Sequence, residues 1–172
     1  MKFAVHAILY IFILISLNGC EDKEFPSDED LQILFQNKKD IHIEMVDIFL
    51  SKNIFRAELM SNGDFEVSPI SLTPSATVGI KEILRDDLGL DLINTYVKIG
   101  EDDVTNEIAF FYYRRGVVFA GENKGLAYIV EDNNVKTVSQ LNKIDRNDKE
   151  IYGKRLYKYL EPNWYIFYEY NP

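Results

Sequence analysis

Sulfur and imidazole are scarce in this sequence: one cysteine, Cys20, and two histidines, His6 and His42, stand among 172 residues. A single thiol excludes an intrachain disulfide and a cysteine-built zinc cluster. His6 lies in the apolar amino-terminal run, so a zinc or copper site in the remainder would need carboxylates almost alone. The HExxH, GxSxG, Walker and GxGxxG patterns are missing, and with them the motif signals for zinc proteolysis, serine hydrolysis and nucleotide binding. Positive charge is also in short supply. Against 28 Asp and Glu there are 19 Lys and Arg, a net charge of −9 with a pI near 4.7, so the average surface field repels nucleic acid. The longest apolar run, Phe3 to Leu17, covers 15 positions and is short for a membrane-spanning helix.

What is present is ample core material. Hydrophobic residues make up 47% of the chain and aromatics 13%, in a length that suits one domain. The amino terminus stands apart. Met1 and Lys2 give a short positive start, the apolar run follows, and Gly19-Cys20 closes it, which is the plan of a secretory signal over residues 1–19. Leu17-Asn18-Gly19-Cys20 also resembles the lipobox of bacterial lipoproteins, with an aliphatic residue three before the cysteine and a small residue just before it. That resemblance implies thioether attachment of diacylglycerol to Cys20, cleavage after Gly19, and acylation of the new amino terminus with a palmitate-type chain. Several acyl chains anchor stably where one is marginal. The alternative is an ordinary signal peptide or anchor helix that ends on a cysteine. Lipidation would leave the mature chain without a free thiol, and removal of Lys2 with residues 1–19 takes its charge from −9 to −10. Glu21 and Asp22 after Cys20 bear on which membrane holds the anchor and leave inner and outer both open.

Residues 21–30, EDKEFPSDED, carry six acids, one lysine and one proline with little to bury. Residues 20–27 therefore read as an acidic tether and 28–172 as the folded domain. Ser27 followed by Asp28, Glu29 and Asp30 reads as an N-cap with acids set against the helix dipole. Leu31, Leu34, Phe35, Ile41, Met45, Ile48 and Phe49 recur at helical spacing and predict a helix over 28–51, broken near Asn37. Asn62-Gly63 between two apolar runs predicts a hairpin. Pro74-Ser75 opens a second helix, with Val78, Ile80, Ile83, Leu84 and Leu88 as its buried face and Gly89 at its end. From Leu92 the period changes: 92–99, 107–114, 117–121 and 125–130 are β-branched and aromatic, separated by GEDD, RRG and ENKG. KRLYKYL and WYIFYEY around Glu161-Pro162-Asn163 predict a closing hairpin. The sum is an α+β fold: a single domain with an antiparallel sheet of about five to seven strands and two main helices packed on it.

Two stretches carry a family likeness. RRGVVFAGENKGLAYI, with its Gly-x-x-Lys-Gly-x-Ala-Tyr core at 121–128, and the ending YLEPNWYIFYEY resemble a group of small uncharacterised bacterial lipoproteins with a KGYAY-like strand and a closing NWYLYYE-like strand. Leu126 and Phe167 stand where that group has Tyr. The resemblance covers most of residues 31–170 and implies an envelope location and a single-domain fold; it implies no activity.

The chemistry on offer is thin. His42, beside Ile41 and three residues from Met45, reads as an edge-of-stripe structural residue rather than a catalytic one. Glu101-Asp102-Asp103 is the best local acid cluster for a metal but lacks the alternation and central glycine of a calcium loop. Asp145-x-Asn147 begins like such a loop, then places Lys149 and Glu150 where a ligand and the glycine belong, and reads as a turn. No catalytic, cofactor-binding or metal-binding residue is assigned. Pairing Leu160 with Tyr165 in the closing hairpin would put Tyr157, Tyr159, Ile166, Tyr168 and Tyr170 on one face and Leu156, Leu160, Tyr165 and Phe167 on the other. The simpler expectation buries both faces; the sharper one exposes Trp164, Tyr168, Tyr170, Tyr157 and Arg155 as an interaction surface. Residues 133–160 hold seven Lys or Arg against three acids, a polarity suited to a charged partner or to anionic lipid. The function expected is that of a lipid-anchored, periplasm-facing binding module, one concrete form being an immunity protein against a delivered toxin. The competing expectations are a carboxylate-dependent envelope hydrolase acting on a glycan or peptide and a structural lipoprotein that spaces the cell wall.

Overall fold

The computed structural model describes residues 25–60, 62–68, 72–90, 92–99, 104–117, 120–130 and 135–172. The signal segment 1–19, Cys20, tether residues 21–24 and the Glu101-Asp102-Asp103 cluster lie outside the described residues.

Helix α1 (Asp28–Asn37) starts on a reciprocal cap: Ser27 Oγ accepts from the Asp30 amide and Asp30 Oδ2 accepts from the Ser27 amide, each at 3.0 Å. The helix breaks at Lys38, next to the expected Asn37, and resumes as α2 (Lys39–Lys52). Leu31, Phe35, Met45 and Phe49 are buried, with Leu34, Ile41 and Ile48 half-buried beside them. Helix α3 (Pro74–Glu82) is capped by Thr73, widens into a π-helical turn over Ile83–Leu88, and stops at Gly89 with φ +69°. Ile80, Leu84 and Leu88, four residues apart, enter the core. Val78, expected beside them, is 54% exposed because two residues from Ile80 is the opposite side of a helix.

One antiparallel sheet holds seven strands among the described residues, in the order β2-β1-β3-β4-β5-β7-β6. They are β1 (Arg56–Leu59), β2 (Phe65–Ser68), β3 (Leu92–Ile99), β4 (Val104–Val117), β5 (Ala120–Ile129), β6 (Arg155–Glu161) and β7 (Trp164–Asn171). Asn62-Gly63 turns β1 into β2, Gly63 at φ +87° and Asn62 Oδ1 accepting from the Asp64 amide at 3.0 Å. The three helices, the inner face of the sheet and Leu141 enclose the main core, to which Ile93, Ile108, Phe110, Leu126, Trp164, Ile166 and Tyr168 contribute. The other face carries a second buried cluster of Leu92, Ala109, Phe111, Ala127, Ile129, Tyr165 and Phe167. Both faces of the closing hairpin are thus in use.

Two sequence expectations fail in the sheet. The segments 117–121 and 125–130 are not separate strands; β5 runs unbroken through Glu122-Asn123-Lys124. Gly121 and Gly125 lie against the backbone carbonyls of Arg115 and Phe110, where a Cβ has no room, so the glycines serve close strand approach rather than a turn. In the closing hairpin Tyr159, not Leu160, is opposite Tyr165, and the register shifts at Leu160 before Glu161 pairs with Trp164. That bulge moves the pairing by one residue. A second bulge at Tyr112 in β4 keeps Phe110, Tyr112 and Tyr113 on the helical side of the sheet and leaves Phe111 on the other.

Candidate functional site

The one-residue slip dissolves the aromatic surface expected from the sequence. Trp164 and Tyr168 are 3% and 2% exposed, the former packed on Phe35 at a ring separation of 4.8 Å. Tyr170 is half-buried against Tyr152. Tyr157, opposite Phe167, and Arg155, opposite Glu169, belong to the other face. The five residues are divided between two buried faces and make no common surface. Tyr159, 51% exposed, is the ring of this hairpin that reaches solvent.

Arg155 and Tyr157 instead build a charged network over the second cluster. Arg155 donates from Nη1 to Glu107 Oε1 at 2.5 Å and from Nη2 to Glu169 Oε2 at 2.6 Å, its guanidinium 4.5 Å from the Phe167 ring centroid. Tyr157 donates its hydroxyl to Glu107 Oε2 at 2.5 Å. Burial, reinforced by the Glu107 charge, raises the Tyr157 pKa. On β1, Glu58 accepts from Arg56 and from Arg114, the latter at 2.9 Å. Burial opposes its ionisation, but the two guanidinium groups outweigh burial and hold its carboxyl below the usual range.

A second constellation lies where the chain enters the domain. Phe25 stacks edge-on to Tyr113 and Tyr168, with Lys124 Nζ 4.7 Å and the Arg146 guanidinium 5.5 Å from its ring centroid. Lys124 is fully buried. Its ammonium donates to the Pro26 carbonyl and to Asn142 Oδ1, each at 2.8 Å, and pairs with Asp28 Oδ1, also at 2.8 Å. Asp28 Oδ2 accepts from the Leu141 amide at 3.0 Å and from Lys158 at 3.3 Å. Burial disfavours the Asp28 charge, yet these donors prevail and its carboxyl stays below the usual range; burial likewise lowers the Lys124 pKa against the pull of Asp28. Residues 25–27, expected in the tether, are therefore part of the packed domain.

Beside Phe25, an open recess of ≈ 580 Å³ is lined by Glu122, Leu141, Asn142, Ile144, Arg146 and Tyr168, among others. Glu122 Oε1 accepts from Arg146 Nη2 at 2.7 Å and from the Tyr168 hydroxyl at 2.9 Å. Burial and the Glu122 bond push Tyr168 up to about 12. The sequence offered one hint of this cluster, the Gly-x-x-Lys-Gly stretch. It did not show that the lysine would be buried.

His42 is buried among Phe35, Phe110 and Trp164. Its Nδ1 lies 2.8 Å from the Lys38 carbonyl, which can only accept, so Nδ1 carries the proton and Nε2 accepts from the Tyr112 hydroxyl at 2.7 Å. Burial drives its pKa down to about 4. It is packed inside the core rather than at the edge of the helical stripe where the sequence placed it. Asp145 accepts from the Asn147 amide at 2.9 Å, the turn role read from its spacing.

The outward side of α2 shows a pattern that the core stripe hides in the sequence. Ile43 and Leu50, 39% and 45% exposed, stand among exposed Asp40, Glu44 and Asp47 along an open groove of ≈ 680 Å³. Among the described residues no three His, Cys, Asp or Glu side chains converge as a metal site, and no helix is long and apolar enough to cross a membrane. No family model, curated protein or solved structure matches the chain.

Proposed function

We propose that the chain is a bacterial envelope lipoprotein, held through Cys20 and facing the periplasm, whose domain acts by binding a protein partner rather than by catalysis. The observation that carries the non-catalytic part is the state of the buried carboxylates. Asp28 is committed to Lys124, Glu58 to Arg56 and Arg114, Glu107 to Arg155, and Glu122 to Arg146. A carboxyl that donates a proton in hydrolysis needs a raised pKa, whereas Asp28 and Glu58 are displaced downward.

The anchoring part is supported by the apolar run, by Leu17-Asn18-Gly19-Cys20 and by the likeness to small bacterial lipoproteins. A basic protein suits the net charge of −9, and the acidic, partly apolar outer stripe of α2 gives it a place to dock. An immunity protein that holds a toxin delivered to the periplasm is the concrete form.

The test is affinity isolation of the mature protein from envelope extracts, in parallel with Glu44→Lys/Asp47→Lys. A stoichiometric protein partner that the charge-reversed variant loses is the expected result. Cleavage of purified cell wall, abolished by one Asp or Glu substitution, would contradict the reading.

A further inference from the structure

The outer strands of the sheet, β6 and β2, end it differently. Beside β6, Thr137 bridges Tyr157 and the Val138 amide donates to the Tyr157 carbonyl at 2.8 Å, so that edge is partly covered. No strand lies beside β2 among the described residues. Which of its backbone groups face outward follows from the turn. The Met60 amide donates to the Asp64 carbonyl at 2.8 Å, so the alternating ladder makes Glu58 with Glu66 and Arg56 with Ser68 the hydrogen-bonded pairs of β1 and β2. Phe65 and Val67 therefore turn their amides and carbonyls to the free edge, where they meet no backbone partner among the described residues.

An open groove of ≈ 450 Å³ follows this edge. Phe65, Val67 and Leu72, half-buried against the main core, give it an apolar wall on the helical side. Glu66 lines it from the other face of the strand, exposed and with no ion pair among the described residues. The cations nearby are engaged. Arg56 and Arg114 are both held by Glu58, and Lys81 donates to the Gly63 carbonyl at 3.2 Å. A second copy of the chain is a poor occupant. Pairing Phe65 with Val67 of the copy would set Glu66 against itself, and like charges directly opposite repel; pairing Val67 with itself would set Phe65 against Pro69, which has no amide hydrogen to give.

We propose that the free edge of β2 takes up an extended segment of a partner protein as an added antiparallel strand, in which an apolar residue, a Lys or Arg, and an apolar residue follow one another. Backbone bonds to Phe65 and Val67 hold the segment. The apolar side chains opposite those two residues lie on the helical side, over Phe65, Val67 and Leu72, and the cation between them faces Glu66. Glu66 thus selects against the chain itself and in favour of a basic segment. The proposal rests on the reading of the domain as a binder of a protein partner, and on neither Cys20 nor the outer stripe of α2.

Cyclic β-hairpin peptides test this, one strand of each reading Thr-Val-Lys-Val-Thr or Thr-Val-Glu-Val-Thr, since a pre-ordered strand loses little entropy on binding. Fluorescence anisotropy with the full chain in detergent micelles should show the lysine peptide binding about fivefold tighter than the glutamate peptide. Glu66→Lys should reverse that order. Val67→Pro removes an outward-facing donor while leaving the pairing with β1, and should abolish binding of both peptides with the thermal unfolding transition retained. Failure of both peptides to bind, equal affinity for the two, or a preference that Glu66→Lys leaves unchanged would overturn the proposal. So would a dimer of the chain that Val67→Pro dissolves. If the lysine peptide binds as expected and envelope extracts yield no partner, the earlier reading fails alone; a natural partner retained by both Glu66→Lys and Val67→Pro would sink this proposal and spare that reading.

Discussion

Lys124 Nζ lies 2.8 Å from Asp28 Oδ1, a fully buried ion pair that ties the first residue of α1 to the middle of β5. Taking both charges from water is costly, and the cost is offset because the ammonium also meets the Pro26 carbonyl and Asn142 while the carboxylate meets the Leu141 amide. The pair is thus a point of specificity as much as of stability: it fixes where the chain enters the domain.

Removing one partner should expose that cost. Lys124→Met leaves Asp28 buried without its main counter-charge and is expected to lower the unfolding free energy by about 3–5 kcal/mol. Adding Asp28→Asn should recover part of the loss. Urea titration of the two variants decides this; equal stability of wild type and Lys124→Met would contradict the assigned pair.

His42 sets a pH dependence. Its pKa falls from 6.5 in the unfolded chain to about 4 in the fold, so between those values the unfolded state binds the extra proton. Stability is full above 6.5 and is lost as pH falls towards 4. Between pH 7 and pH 5 the loss should be about 2 kcal/mol. No other histidine follows Cys20, so His42→Gln should flatten the profile of the mature chain in this window.

Glycine at position 125 is a steric requirement. A methyl group there meets the Phe110 carbonyl and the Phe167 ring, so Gly125→Ala should destabilise by about 3 kcal/mol through displaced strands. Gly79→Ala, in a helix with open space around its Cβ, should be neutral or stabilising by about 1 kcal/mol. Thermal unfolding of both distinguishes packing from a general sensitivity to substitution.

Burial separates two ion pairs of similar length. Arg155 and Glu107 are 10% and 4% exposed, whereas Lys39 and Glu161 are 43% and 31% exposed. Arg155→Met should cost about 3 kcal/mol, and Lys39→Met less than about 1 kcal/mol. A similar effect of the two would contradict the network assigned to the second face.

Local signals were legible in the sequence. Ser27, Pro74, Asn62-Gly63 and Gly89 mark ends and turns because each acts on backbone within a few residues, and the structure uses all four, with the cap at Thr73 just before Pro74 coming from the structure alone. Non-local ones were not. Nothing near Lys124 announces Asp28, so Glu122-Asn123-Lys124 reads as a loop until the partners on α1 and in the Leu141–Arg146 loop are in place. The aromatic surface failed for a related reason: with a period of two, one bulge at Leu160 moves Arg155, Tyr157 and Tyr159 of β6 to the opposite face from the one expected relative to β7, while the alternation within β7 stands. Glu107 was read only as the first residue of a strand segment, although it holds Arg155 and Tyr157.

Cys20 is the residue at which the proposed lipid anchor is tested most directly. If the proposed lipoprotein reading holds, intact mass spectrometry of the protein extracted from membranes of the cells that make it should show a chain beginning at Cys20 and carrying a thioether-linked diacylglycerol with an acylated amino terminus. Cys20→Ser should keep residues 1–19 and lose the lipid mass. A chain in which Gly19 and Cys20 remain joined, with an unmodified thiol, would contradict the proposed anchor.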